Sequence, residues 1–105
     1  MSEPAFVALL KVHLHFPDVG SLKGKRSELN SVKAGLRTKL GASVAEVAYQ
    51  DTWQRSTLAV SVAERSYKRC DEEADAILRF LDSRFPQGVR VERVIASWSD
   101  LESIG

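Results

Sequence analysis

Twelve residues near the start of the chain, Ala5 to Phe16, alternate between two characters. Phe6, Ala8, Leu10, Val12, Leu14 and Phe16 are apolar, while Val7, Leu9, Lys11, His13 and His15 take the other face. A side-chain period of two over that length predicts a long strand with one buried side. Such a strand commits the chain to a sheet with one face that must be covered. The period then changes. After Pro17-Asp18-Val19-Gly20, residues Leu22, Leu29, Val32, Leu36 and Leu40 recur with helical spacing. Ser21 suits the N-cap and Gly41 the stop, because glycine enters the left-handed region at little cost. Ala45, Val47 and Tyr49 predict a second strand, and Leu58, Val60 and Val62 a third. Gln50-Asp51-Thr52-Trp53-Gln54-Arg55 is short enough to be the hairpin connection between them. A second helix runs from about Ser66 to Phe85 on the stripe Cys70, Ala74, Ile77, Leu78, Leu81 and Phe85. Val89 to Ala96 reads as the last strand, with an alternation too untidy to assign its faces.

The order β-α-β-β-α-β predicts an α+β fold, a ferredoxin-like sandwich with two antiparallel helices on one face of a four-stranded antiparallel sheet. Right-handed crossovers set the sheet order at 4-1-3-2. With 105 residues there is room for one domain, 1–105, with a core of about 5–97 and a short C-terminal tail, 98–105. Cys70 is the only cysteine, which excludes an intrachain disulfide and fits a reducing compartment. Ser2-Glu3-Pro4 lacks the character of a signal peptide, and no apolar run reaches membrane-spanning length. The expectation is a cytoplasmic protein with no membrane partner.

Net charge is only +1, yet the first helix carries Lys23, Lys25, Arg26, Lys33, Arg37 and Lys39 against Glu28 alone. With Leu22 at zero and about 100° per residue, the apolar stripe centres near 330°. Lys33, Arg26, Arg37 and Lys23 fall between about 20° and 100°, and Lys25 and Lys39 at about 300° and 260°. The first group makes a basic row that points towards the edge of the second strand. It is either a phosphate-binding surface or simply a solvated face. Helix two's Asp71, Asp75 and Asp82 point to the opposite edge, leaving Lys39 to pair with Glu73. One end of the molecule should carry Lys23, Lys25, Arg26, Arg55, Arg84 and Arg90. The other should carry Glu64, Asp71, Glu72 and Glu73. Gly35 inside the helix is expected to cost about 1 kcal/mol relative to Ala.

The first helix start and the Gln50–Arg55 hairpin are predicted neighbours, since strands one and two run parallel and end at one pole. Basic side chains at a helix start suit phosphate oxygens. Trp53 beside Arg55 offers an aromatic face to an unpaired base. Alternatively Trp53 caps the end of the core, with Asp51 and Arg55 paired across the hairpin. The RNA-contacting set is therefore Lys23, Lys25, Arg26, Lys33, Arg37, Trp53, Gln54 and Arg55. His13 and His15 share a strand face, but with no third ligand no metal is expected. The two central strands offer Leu9, Lys11, His13, Thr57, Ala59 and Ser61 on the open face, which is no platform for stacking bases. No nucleophile–base arrangement or phosphate loop is visible, so the reading is non-catalytic and without cofactor.

Ser21-Leu22-Lys23-x-Lys25-Arg26, Val44-Ala45-Glu46-Val47 and Gln50-Asp51-x-Trp53-Gln54-Arg55 together resemble the YlxP-like family of small bacterial proteins. The similarity runs over nearly the whole chain to about Ala96. It departs at Gly24, where the family usually has an acidic residue. The resemblance implies a ferredoxin-like fold, no established catalytic activity, and a genetic setting beside transcription-elongation and translation-initiation factors and a ribosome-binding factor. RNA or a ribosomal particle is accordingly the expected partner. The alternative expectation is a homo-oligomer associating through the open sheet face, where Val7, Leu9, Ala59 and Ala63 lie.

Overall fold

The computed structural model describes residues 4–104; Met1, Ser2, Glu3 and Gly105 lie outside them. Its elements are β1 (Phe6–His15), α1 (Leu22–Leu40), β2 (Ser43–Ala48), β3 (Arg55–Glu64), α2 (Tyr67–Arg84), β4 (Arg90–Ser97) and a short α3 (Trp98–Glu102). The strands form one antiparallel sheet in the order β2-β3-β1-β4, the predicted arrangement read from the other edge. This is the ferredoxin-like α+β fold expected from the alternating periods. The core follows the two predicted stripes. Ala8, Leu10, Val12, Leu14 and Phe16 of the β1 stretch meet Leu29, Val32 and Leu36 of α1. Leu58, Val60 and Val62 of β3 meet Cys70, Ala74, Ile77 and Leu81 of α2 in the same cluster. Burying each large aliphatic side chain contributes about 1.5–3 kcal/mol.

The helix ends form as their residues dictate. Ser21 Oγ accepts from the Gly24 amide at 3.0 Å. At the far end Gly41 takes φ 64°. Its N–H reaches Arg37 O, and the Ala42 N–H reaches Leu36 O, satisfying carbonyls the helix leaves open. Ser66 caps α2 through the Arg69 amide. Gly35 has a packing reason the sequence did not reveal: a Cβ there would lie 2.3 Å from Phe80 Cζ, so the missing side chain is where α2 seats its ring on α1. Lys39 is not paired with Glu73; its Nζ lies 6.0 Å over the Phe80 ring. Cys70 is buried, and burial, then the Glu64 and Glu73 charges, push its thiol up.

Two strands needed the register to be understood. On β2, Val44 and Glu46 lie opposite Val60 and Leu58, so they face the helices, and Ala45 lies on the open face. The apolar set Ala45, Val47 and Tyr49 is thus the exposed phase of this strand, because its inward position is held by an acid. On β4, Val91, Arg93 and Ile95 face the helices, while Arg90, Glu92, Val94 and Ala96 lie on the open face. Its alternation is untidy because Arg93 points inward to meet Asp71 and Asp75 of α2, at 3.1 and 3.0 Å. Among the described residues no helix is long and apolar enough to cross a membrane.

Candidate nucleic-acid interface

The start of α1 and the 49–55 hairpin meet at one pole, as the topology required. The contact is built from Lys25. Its angle of about 300° is only some 30° from the centre of the apolar stripe, so the helix aims it into the molecule. Its side chain has no exposed surface. Nζ lies 3.2 Å from Glu46 Oε2, donates to Tyr49 O, and reaches Gln50 O at 3.4 Å. Three acceptors meet the three protons of an ammonium, which is what allows it to be buried. Lys25 therefore cannot touch RNA, and it leaves the set of candidate contacts.

Glu46 is the residue that sequence reasoning missed. Its side chain is 7% exposed and also receives Ser56 Oγ at 2.7 Å and Arg26 Nη1 at 2.9 Å. Burial pushes its carboxyl up, but hydrogen bonds from Ser56 and Lys25, the Lys25 charge and the Arg26 hydrogen bond outweigh that and hold it below the usual range. The available signal was an acid at an inward position of a strand beside a lysine at an inward position of a helix.

A bulge at Val47 and a left-handed Tyr49, φ 64°, turn the chain so that the carbonyls of Tyr49 and Gln50 face Lys25. Such a conformation costs a non-glycine residue about 1–3 kcal/mol and persists only where its surroundings enforce it. Gln54 fastens the other side of the hairpin. Its Nε2 donates to Pro17 O and Val19 O at 3.3 and 3.4 Å, and its backbone carbonyl accepts from Phe16 N at 2.8 Å. Arg26 Nη2 adds a bond to Gln50 O, and Arg37 Nη2 donates to Val44 O at 2.9 Å. Arg26, Arg37 and Gln54 are thus engaged in holding the pole and the β2 edge.

What these fastenings present is a smaller set. Trp53 is 52% exposed, so it does not cap the core. Arg55 makes no pair with Asp51; its guanidinium carbon lies 4.3 Å over the exposed Tyr49 ring. Lys23 is exposed and Lys33 half-buried, and among the described residues neither has a carboxylate within ion-pair distance. A hollow of about 180 Å³ at the same pole has Asp18 and Glu28 as well as His15 and Arg84 on its walls, so its charge is mixed. The pole therefore offers one bare indole, one guanidinium–phenol stack and unpaired lysines along the adjoining helix face. Elsewhere, His13 on the open face is occupied by Glu92 at 2.8 Å and Thr57 at 3.3 Å.

The comparisons agree with this frame. A de novo designed protein, Foldit4, superposes with a TM-score of 0.55 over 88% of this chain and 96% of its own, at 10% identity, which is a likeness of fold alone. The uncharacterized protein YlxP of Bacillus subtilis (strain 168) is 37% identical over 78 residues, covering 74% of this chain and 80% of that protein. The family described as Protein of unknown function (DUF503) matches residues 7–96, and with the YlxP similarity this places the chain in that YlxP-like family.

Proposed function

We propose that this protein is a cytoplasmic, non-catalytic accessory that binds RNA or a ribosomal particle through the pole carrying Trp53, Arg55 and Lys23 and the adjoining helix face carrying Lys33. One observation carries the reading. The hairpin is held by a buried lysine and a doubly bonded glutamine, yet it leaves a tryptophan more than half exposed beside an arginine stacked on a tyrosine. An indole exposed to water has lost the burial that normally repays its size. A stacked base restores that burial and contributes about 1–3 kcal/mol. Lys23 and Lys33 continue the surface as sites for the nucleic-acid backbone that follows, with Arg26 lending the exposed part of its charge.

The test is the salt dependence of binding to single-stranded RNA and to ribosomal particles. Replacing Lys23, Lys33 and Arg55 with Ala should weaken binding and lower the log–log salt slope by about 0.7–0.9 for every phosphate that the variant no longer neutralises. A control that removes three bases elsewhere, Arg65, Lys68 and Arg79, should leave the slope unchanged. Equal losses of affinity in the two triples would reduce the effect to overall charge. Absence of binding by the unmodified protein would overturn the reading.

A further inference from the structure

The open face of the sheet changes character in two directions. Along the strands, the end near α3 is apolar and the end near Trp53 is polar. Ala96 and Ala63 flank Val7, and Val94 and Ser61 flank Leu9. One step further on, Glu92 flanks Lys11, and beyond it Arg90 and Thr57 flank His13. Across the strands, the β4–β1 half is bulky and the β3–β2 half is small. Leu9 and Val94 are 47% and 63% exposed. Beside them Ser43, Ala45, Ala59 and Ser61 line a hollow of about 180 Å³ that Leu9 walls. The short α3 enlarges the bulky corner. Its Trp98 and Leu101, 61% and 48% exposed, line a second hollow with Ala5, Val7 and Ala96.

We propose that this face is covered by the same face of a second copy, about a two-fold axis lying between the stacked sheets and running along the strands. Aligned stacking of two identical sheets allows two such axes. An axis across the strands lays the Val7 end of each copy on the Lys11–His13 end of the other, and bulky β4 on bulky β4. An axis along the strands keeps apolar end on apolar end. It also lays β1 of each copy over β3 of the other, so Leu9 stands over Ser61 of the partner subunit. Val94 stands over Ser43 of the partner subunit in the same way. Ridge then meets hollow twice, and the contact is isologous. The two gradients are independent, yet both select this axis, and that coincidence names a second copy as the occupant. Area agrees with it. The two halves and α3 present about 800 Å² of accessible surface, the size of one side of a standard stable interface. Lys11, His13 and Glu92 fall at its polar rim. Because the axis follows the strands, both Trp53 poles stand uncovered at one end of the dimer. The dimer itself does not depend on what those poles bind.

Sedimentation velocity without RNA, over a wide concentration range, should show the dimer. Leu9→Lys should raise its dissociation constant by about tenfold or more with the folded signal intact, because an unpaired charge enters the apolar centre. Ser43→Trp separates fit from mere stickiness. It adds exposed apolar surface, yet it should weaken the dimer by filling the hollow that receives Val94. With sheets about 10 Å apart and strands about 4.8 Å apart, the two Leu9 Cα atoms lie roughly 11 Å from each other and the two Val94 Cα atoms roughly 17 Å. A short bis-maleimide should therefore join Leu9→Cys dimers and not Val94→Cys dimers. Monomer at every concentration, an undiminished Leu9→Lys dimer, a Ser43→Trp dimer as tight as the unmodified one, or cross-linking through Val94→Cys in place of Leu9→Cys would each overturn the proposal.

Discussion

At the β2 edge a lysine with no exposed surface reaches from helix to strand. At the β4 edge an arginine reaches from strand to helix, and that bridge stays wet. Lys25 and Glu46 are 0% and 7% exposed, against 33% for Arg93 and 42% and 48% for Asp71 and Asp75. Both bridges tie a helix to the edge strand beneath it, and their geometry in bond lengths is nearly the same. The difference lies in the solvent. In water each partner of the β4 bridge can be hydrated when the other is removed, so the pair contributes little. Under α1 water does not replace a missing partner: without Lys25 the Glu46 carboxylate keeps only Arg26 and Ser56, and without Glu46 a buried ammonium keeps only backbone carbonyls. The same kind of ion pair is therefore a lock at one edge and trim at the other. The locked edge is also the one that shapes the hairpin.

The largest effect expected from breaking the comparison is at Lys25. Lys25→Met should destabilise the protein by about 3 kcal/mol, the lower end for a broken buried pair, because the Glu46 carboxylate loses Lys25 but keeps Arg26 and Ser56. Adding Glu46→Leu should recover part of this, read by urea denaturation, the remainder being the buried Ser56 hydroxyl left without its acceptor. Tyr49 O and Gln50 O keep donors in Thr52 N and Arg26 Nη2, so the double variant strands no carbonyl.

Glu46→Gln is the next step down, at about 1–3 kcal/mol near neutral pH. It also sharpens the sign. A carboxyl held low by folding adds stability that is complete above its unfolded value, about 4.3, and is lost as pH falls through the lower folded value. The unmodified protein should lose stability on acidification below about pH 5, and Glu46→Gln should fall less steeply over the same window. Parallel curves would mean that Glu46 is not held low.

The fold was legible because its signals are periodic. Ala5 to Phe16 could only be a one-sided strand, and both helix stripes, with Ser21, Gly41 and Ser66 at their ends, lie where the spacing put them. The neighbouring positions of the two motifs followed from topology alone. The site was read less well, and the residues show why. A periodic reading sorts side chains by type, so Lys25 counted as surface although its angle already lay inside the apolar stripe. Glu46 disguised the inward phase of β2 in the same way, as Arg93 did on β4. Gly35 looked like a weakness because its partner, Phe80, lies on another helix. Each of these depends on packing between elements far apart in sequence, which no local period records.

The central claim is that burial, not the number of ion pairs, makes the β2 edge the lock of this fold. It is tested most directly by two double-mutant cycles followed by urea denaturation. One combines Lys25→Met with Glu46→Leu, and the other Arg93→Ala with Asp75→Ala. The account predicts a coupling above about 2 kcal/mol for the first pair and below about 1 kcal/mol for the second. Equal couplings, or a first coupling below about 1 kcal/mol, would contradict it.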